Sequence, residues 1–235
     1  MTPVPATRPW PPYVLPFAAY MGFIALEGLL ETAAGALPAL AALAAADHLW
    51  LYPLKVGVVV LLLWRFRHRY AEFRAPARPG RDWPLAVAVG TAVFLLWIRM
   101  DWPFATQGGA EGYDPHAAAL GAAAALPLIA IRLAGAALVV PVFEELFWRA
   151  FVMRYLVRPD FHNVPLGAFT PASFAITAVL FGLEHHLWLA GIMAGAAYGA
   201  LLCVTRNLPV VIVAHGVTNL LLGVWVLATA NWAFW

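Results

Sequence analysis

Three short stretches put chemically competent side chains inside runs that are otherwise apolar. The first is Phe143-Glu144-Glu145-Leu146-Phe147-Trp148-Arg149. On a helix, Glu145 and Arg149 stand four residues apart with the acid N-terminal to the base, the favourable order for an ion pair. Glu144 is one position off that pair and faces another direction. One carboxylate is then held by Arg149, and the other is free to take a proton. The competing reading is an ion-pair cluster that only anchors the helix. The second stretch is Phe181-Gly182-Leu183-Glu184-His185-His186. Phe181 and His185 share a helix face, while Glu184 and His186 point away from His185. A satisfied helix–helix contact is the competing reading for this histidine. The spacing is not His-Glu-x-x-His, so the common zinc-protease motif is absent. The third stretch is His215-Gly216-Val217-Thr218-Asn219, where His215 and Asn219 again lie four apart on one face. The alternative here is an interhelical hydrogen-bond pair, worth about 0.6 kcal/mol on average.

Taken together, the three supply a carboxylate, an imidazole and a His/Asn donor pair from three separate helices. A carboxylate and a histidine can position and deprotonate a water. Histidine and asparagine N–H groups can stabilise an oxyanion. Such a set suits hydrolysis of an amide bond. No Ser-His-Asp arrangement with a suitable elbow is visible. The single cysteine, Cys203, has no motif around it and excludes both an internal disulfide and a cysteine-based zinc site.

The elements that must carry these residues are set by composition. Of 235 residues, 63% are hydrophobic and 11% charged, against roughly 25% charged in ordinary soluble domains. Mean hydropathy is +0.79. So few charges cannot cover the surface of a soluble fold of this size, and the same numbers exclude disorder. The solvent implied is a bilayer, whose core needs about 20 apolar residues per helix. Apolar runs fall at 13–35, 48–64, 84–100, 117–140, 142–157, 168–186, 187–205 and 208–230. The expected fold is therefore all-α, a polytopic transmembrane bundle of about eight hydrophobic helices, one of which does not cross fully. A disordered tail is expected at 1–12, N-terminal transmembrane helices at 13–110 and a catalytic transmembrane core at 111–235.

Thirteen of the fourteen basic residues are arginine, and six lie between Arg65 and Arg81. Arginine flanking a span is a topology signal, so this loop and the N-terminus read as cytoplasmic. Nucleic acid is not an expected partner. Arg154, Arg158 and Arg206 ask for the same side, which requires 142–157 to continue the fourth helix or to lie at the interface. The short run 142–157 otherwise reads as a separate helix with Pro141 at its first position. Trp10, Trp50, Trp102 and Trp235 read as interface anchors.

Glu144-Glu145-x-x-x-Arg149, Phe181-x-x-x-His185 and His215-x-x-x-Asn219 resemble the three ordered motifs of the CAAX-protease and bacteriocin-processing (CPBP) family of intramembrane glutamic endopeptidases. The resemblance covers roughly 125–225. It implies that Glu144 with His185 activates the water and that His215 and Asn219 form the oxyanion site. It further implies supporting roles for Glu145 and Arg149 in orienting groups around the site, and packing of Phe181 against it. No metal and no cofactor are implied. The implied partners are the lipid bilayer and a peptide or protein substrate reached from the membrane and cleaved near its C-terminus. The stretch from His185 to Gly223 also looks like a bacterial subgroup associated with exosortase sorting, which implies an inner-membrane location.

Other readings stay open on the residues alone. One is a zinc hydrolase with Glu144, His185 and His215 as ligands. Another is a non-catalytic immunity or scaffold protein that keeps the motifs for packing. A third is a small proton-coupled transporter, although the related halves common in transporters are not visible. One geometric difficulty also stands. Glu144, His185 and His215 must meet at one depth, and straight spans do not bring them there. Pro141, Pro171 and Gly182 are the candidate break points.

Overall fold

The computed structural model describes residues 10–40, 47–108, 114 and 122–234. Residues 1–9 of the expected tail, the start of the run at 117–140, and Trp235 lie outside them. Among the described residues the regular structure is helical, with no strand. Seven helices carry it: α1 (Pro11–Ala36), α2 (Asp47–Phe66), α3 (Pro79–Trp97), α4, α5 (Pro171–Leu183), α6 (Trp188–Thr205) and α7 (Leu208–Thr229). Helix α4 is composite, running through Ala122–Ala134, Gly135–Val139, Val140–Glu145, Leu146–Val152 and Met153–Tyr155. Pro11 and Pro12 already belong to α1, where missing N–H groups cost a first turn nothing.

The expectation of about eight helices becomes seven because the runs at 117–140 and 142–157 are one helix. Pro141 does not start a new element. It lacks an N–H and crowds the carbonyl of the preceding turn. The chain absorbs this by widening into a π-helical turn at Gly135–Val139, and a second π segment follows at Leu146–Val152. Four helices are long and apolar enough to cross a membrane: α1, α4, α6 and α7. The protein is an integral membrane protein of helical-bundle type.

Polar contacts tie the arginine-bearing ends together at one pole. Tyr13 at the start of α1 donates to Glu72, which follows α2, at 3.1 Å. Glu72 is ion-paired with Arg154 at the end of α4. Asn207, before α7, donates to the Ala75 carbonyl at 2.9 Å. Glu72 and Arg154 are both buried, so each charge depends on the other for compensation. This pole unites the N-terminal end, the Arg65–Arg81 segment, Arg154 and Arg206, as the charge distribution requires.

The depth difficulty is resolved by α5 and α6. Helix α5 begins at Pro171, with Thr170 accepting from the Ser173 amide at 3.1 Å as a side-chain cap. It has 13 residues, about 20 Å at 1.5 Å per residue, too short for a bilayer core of about 30 Å. The chain then turns at 184–187 and returns as α6. Gly182 is not the break. It lets the two antiparallel helices touch, because a methyl group there would lie 2.6 Å from the Trp188 carbonyl, and one on Gly191 would lie 2.8 Å from the Cα of Gly182. Helix α6 ends at Arg206, whose φ of 52° is the left-handed reversal that stops a helix. Asn207 then caps α7 by accepting from the Val210 amide.

Candidate active site

All seven residues singled out by their spacing meet around one cavity of about 300 Å³ or in the shell that supports it. Glu144, Phe181, His185, His215 and Asn219 line the cavity, and Glu145 and Arg149 are fully buried behind it.

The α-helical turn Val140–Glu145, between the two π segments of α4, presents the acidic pair. Glu145 points into the bundle and meets Arg149 one turn on, with Nε 3.1 Å from Oε2. Arg149 also donates to the Gly195 carbonyl of α6 at 3.2 Å, and its guanidinium carbon lies 4.2 Å from the Phe181 ring centroid. This arginine bolts α4 to both helices of the α5/α6 hairpin. Glu145 has a second partner in the Nδ1 of His215, at 2.9 Å. The pairing expected between Glu145 and Arg149 is thus the first link of an Arg149–Glu145–His215 chain.

Glu144 faces the other way. Its Oε2 is buried with no hydrogen-bond partner among the described residues, and lies 3.9 Å from the Nε2 of His215. One oxygen from Glu144, one from Glu184 and one nitrogen from His185 all lie within 4.8 Å of one another. Glu184 was expected to point away from His185. It does not, because 184–187 is a turn and the helical 100° step no longer applies. Its Oε1 lies 3.9 Å from the Nδ1 of His185 and accepts from Trp148 Nε1 at 3.0 Å. His186 is the residue that turns out, to the Gln107 carbonyl.

The histidine rings have defined orientations. His185 Nδ1 donates to the Phe181 carbonyl at 2.7 Å, so its other nitrogen is left as the acceptor. Phe181 and Trp97 flank the ring, with centroids at 4.8 and 5.4 Å. His215 donates through Nδ1 to Glu145 and turns Nε2 towards Glu144. Its ring is stacked on Tyr198 at 4.9 Å. Tyr198 donates to Thr218 at 2.7 Å, and Thr218 donates to the Gly90 carbonyl at 2.8 Å. Asn219 donates one N–H to the Ala136 carbonyl at 2.9 Å, a carbonyl in the first π segment. Its second N–H remains for the cavity.

Four contributors were not picked out from the sequence: Trp148, Tyr198, Gln107 and the N-terminal helices. Trp148 and Tyr198 look like core aromatics, and only a polar tip in an apolar run distinguishes them. Gln107 holds the turn by donating to the Leu183 and His185 carbonyls at 2.7 and 3.0 Å. Tyr20 and Tyr52 give the cavity walls from α1 and α2, so the site is not confined to the residues after 110.

No curated protein and no solved structure matches the chain. A family model does. Residues 125–221, which carry every motif side chain from Glu144 to Asn219, match the model of the type II CAAX prenyl endopeptidase Rce1-like family.

Proposed function

We propose that the protein is an intramembrane glutamic endopeptidase that hydrolyses a peptide bond near the C-terminus of a substrate reached from the membrane. The observation that carries this reading is the Glu144 carboxylate, buried, with one oxygen lacking any hydrogen-bond partner among the described residues, facing a cavity it shares with His185 and His215. A water held between Glu144 and His185 gives its proton to the Glu144 carboxylate as its oxygen attacks the scissile carbonyl carbon. The carbonyl π pair moves to oxygen, where the Asn219 amide and a protonated His215 Nε2 donate to it. The C–N bond then breaks, and the proton on Glu144 passes to the leaving nitrogen. Glu145 and Arg149 keep the His215 ring in place. Preorganised donors of this kind are commonly worth 10²–10³-fold each.

A second reading is favoured by one specific observation. Glu144, Glu184 and His185 each bring a ligand atom within 4.8 Å of the others, and two carboxylates with one histidine are a donor set that can hold a zinc ion with one position open. Glu184 takes the place that the sequence reading gave to His215. We also read the membrane as a bacterial inner membrane and the substrate as a sorting-type membrane peptide; the resemblance of the His185–Gly223 stretch to exosortase-associated proteins supports this.

The test is proteolysis of a membrane-peptide library by purified protein in liposomes. Wild type is compared with Glu144→Ala and His185→Ala, each with and without chelator. Cleavage lost in both variants and retained with chelator is the expected result. Cleavage lost to chelator and restored by zinc selects the metal reading. No cleavage by well-folded wild type selects the non-catalytic scaffold.

A further inference from the structure

Three helices that reach the cavity change character along their length. On α4, the stretch between Glu144 and the arginine-bearing pole is packed: Leu146, Arg149, Ala150 and Met153 are each 1% exposed or less. On α7, Val210, Val211 and Ala214, between that pole and His215, are fully buried. On α1, Tyr13 joins Tyr70, Phe161 and Leu208 in one buried cluster with Leu146 and Ala150. Among the described residues, no member of that cluster lines the cavity. Interiors packed at this density leave no passage for a water molecule, so the arginine-bearing pole is plugged beneath the site.

The walls come from the opposite ends of the helices. Trp97 is the last residue of α3, Glu184 and His185 sit at the tip of the α5/α6 hairpin, and Phe234 follows the end of α7. Ile24, in the second half of α1, lines the cavity and is 41% exposed. The 13 residues of α5 span about 20 Å of a bilayer core of about 30 Å, so the hairpin tip stands about 10 Å below the far face. The chain after α3 comes down to meet it, where the Gln107 amide donates to the His186 carbonyl at 2.9 Å. Ionisable groups such as Glu144 and Glu184 persist within a membrane where they are paired or face water, and a hydrolase consumes a water at every turnover. That water has its way in on the side where packing gives out.

We propose that water and substrate enter the cavity from the membrane face opposite the arginine-bearing pole, so that the peptide it accepts is one presented on the extracytoplasmic side. The inference rests on the peptidase reading above for the nature of the occupant, and on the arginine rule for the name of the face. The substrate class is then the C-terminal segment of an exported or membrane-anchored protein. A peptide on the cytoplasmic face meets the packed pole instead.

Access and cleavage are measured separately. The full chain carrying Cys203→Ala receives one new cysteine in the cavity wall, Leu222→Cys on α7 or Ile24→Cys on α1. Arg74→Cys and Asp101→Cys, both at exposed positions, mark the arginine-bearing face and the opposite one. The probe is a membrane-impermeant sulfonated methanethiosulfonate, applied to intact bacterial cells and to inverted membrane vesicles. It reacts with thiolate, so a cysteine is labelled only where water reaches it. Both cavity cysteines are expected to react from the face that labels Asp101→Cys at least about tenfold faster than from the face that labels Arg74→Cys. The two probes stand on different helices, so where one chain fails to accumulate in the membrane the other decides. Labelling from the Arg74 face, equal labelling from both faces, or labelling from neither overturns the proposal. In a parallel assay, a membrane-impermeant peptide library is added outside sealed liposomes of wild-type protein sorted by orientation. Cleavage by chains that present the Arg74 face to the peptides also overturns it. Labelling from the Asp101 face without cleavage in either orientation overturns the peptidase reading and leaves the access route standing.

Discussion

The Nδ1 of His215 lies 2.9 Å from Oε1 of Glu145, and this contact joins α7 to α4 across 70 residues of sequence. Arg149 holds the same carboxylate from the other side. Removing one member of a buried charge pair is costly, about 3–5 kcal/mol, because the other is left uncompensated. Glu145→Ala is therefore expected to lower stability by that amount. Glu145→Leu combined with Arg149→Met should recover most of the loss without recovering proteolysis, since His215 has lost the acceptor that orients it. Unfolding midpoints in detergent, set beside cleavage rates, check both halves.

Glu144 behaves oppositely. One of its oxygens has no hydrogen-bond partner among the described residues, so Glu144→Gln should change stability little while lowering the cleavage rate about 10²–10⁴-fold, the usual worth of a general base. A variant that stays fully active would remove Glu144 from the mechanism.

Tyr198 separates stacking from hydrogen bonding. Tyr198→Phe gives up the bond to Thr218, worth about 1 kcal/mol, and keeps the ring against His215. Its kcat should stay near wild type. Tyr198→Leu removes the ring, and kcat should fall at least tenfold with KM little changed. Steady-state kinetics on one peptide substrate decide this.

The hairpin contact at Gly182 sets the position of His185. Gly182→Ala pushes a methyl group into the backbone of α6, an overpacking that costs about 1–3 kcal/mol, and should depress cleavage more than stability predicts. Gly28→Ala is the control. Nothing lies within 4 Å of that added methyl, so it should be neutral or stabilising. Equal activity of the two variants would argue against a positional role for Gly182.

The site was more legible in the sequence than the path of the chain. A Glu, His or Arg inside an apolar run is conspicuous, and the four-residue spacing of Glu145 with Arg149 and of Phe181 with His185 survives as contacts. His215 and Asn219 do share a site, but each is held by a different partner, Glu145 for one and Ala136 for the other. Long-range partners leave no periodic trace. The helix count erred at Pro141, because a π turn that accommodates a proline looks, in hydropathy, like a helix boundary. The boundary between the runs at 168–186 and 187–205 falls inside the turn at 184–187, but the shortness of α5 was hidden for a related reason. Apart from Glu184, His185 and His186 the runs at 168–186 and 187–205 are largely apolar, and a 13-residue helix followed by a reversal has the composition of two full spans. That error produced the depth problem and the mistaken direction of Glu184.

The α5/α6 hairpin starts and ends at the arginine-bearing pole. The chain therefore brings His185 to the cavity at the tip of a hairpin whose two ends lie at the same pole. The hairpin supplies only part of the cavity wall: His215 and Asn219 come from α7, which follows it in the chain, so the cavity closes only when α7 packs against α4.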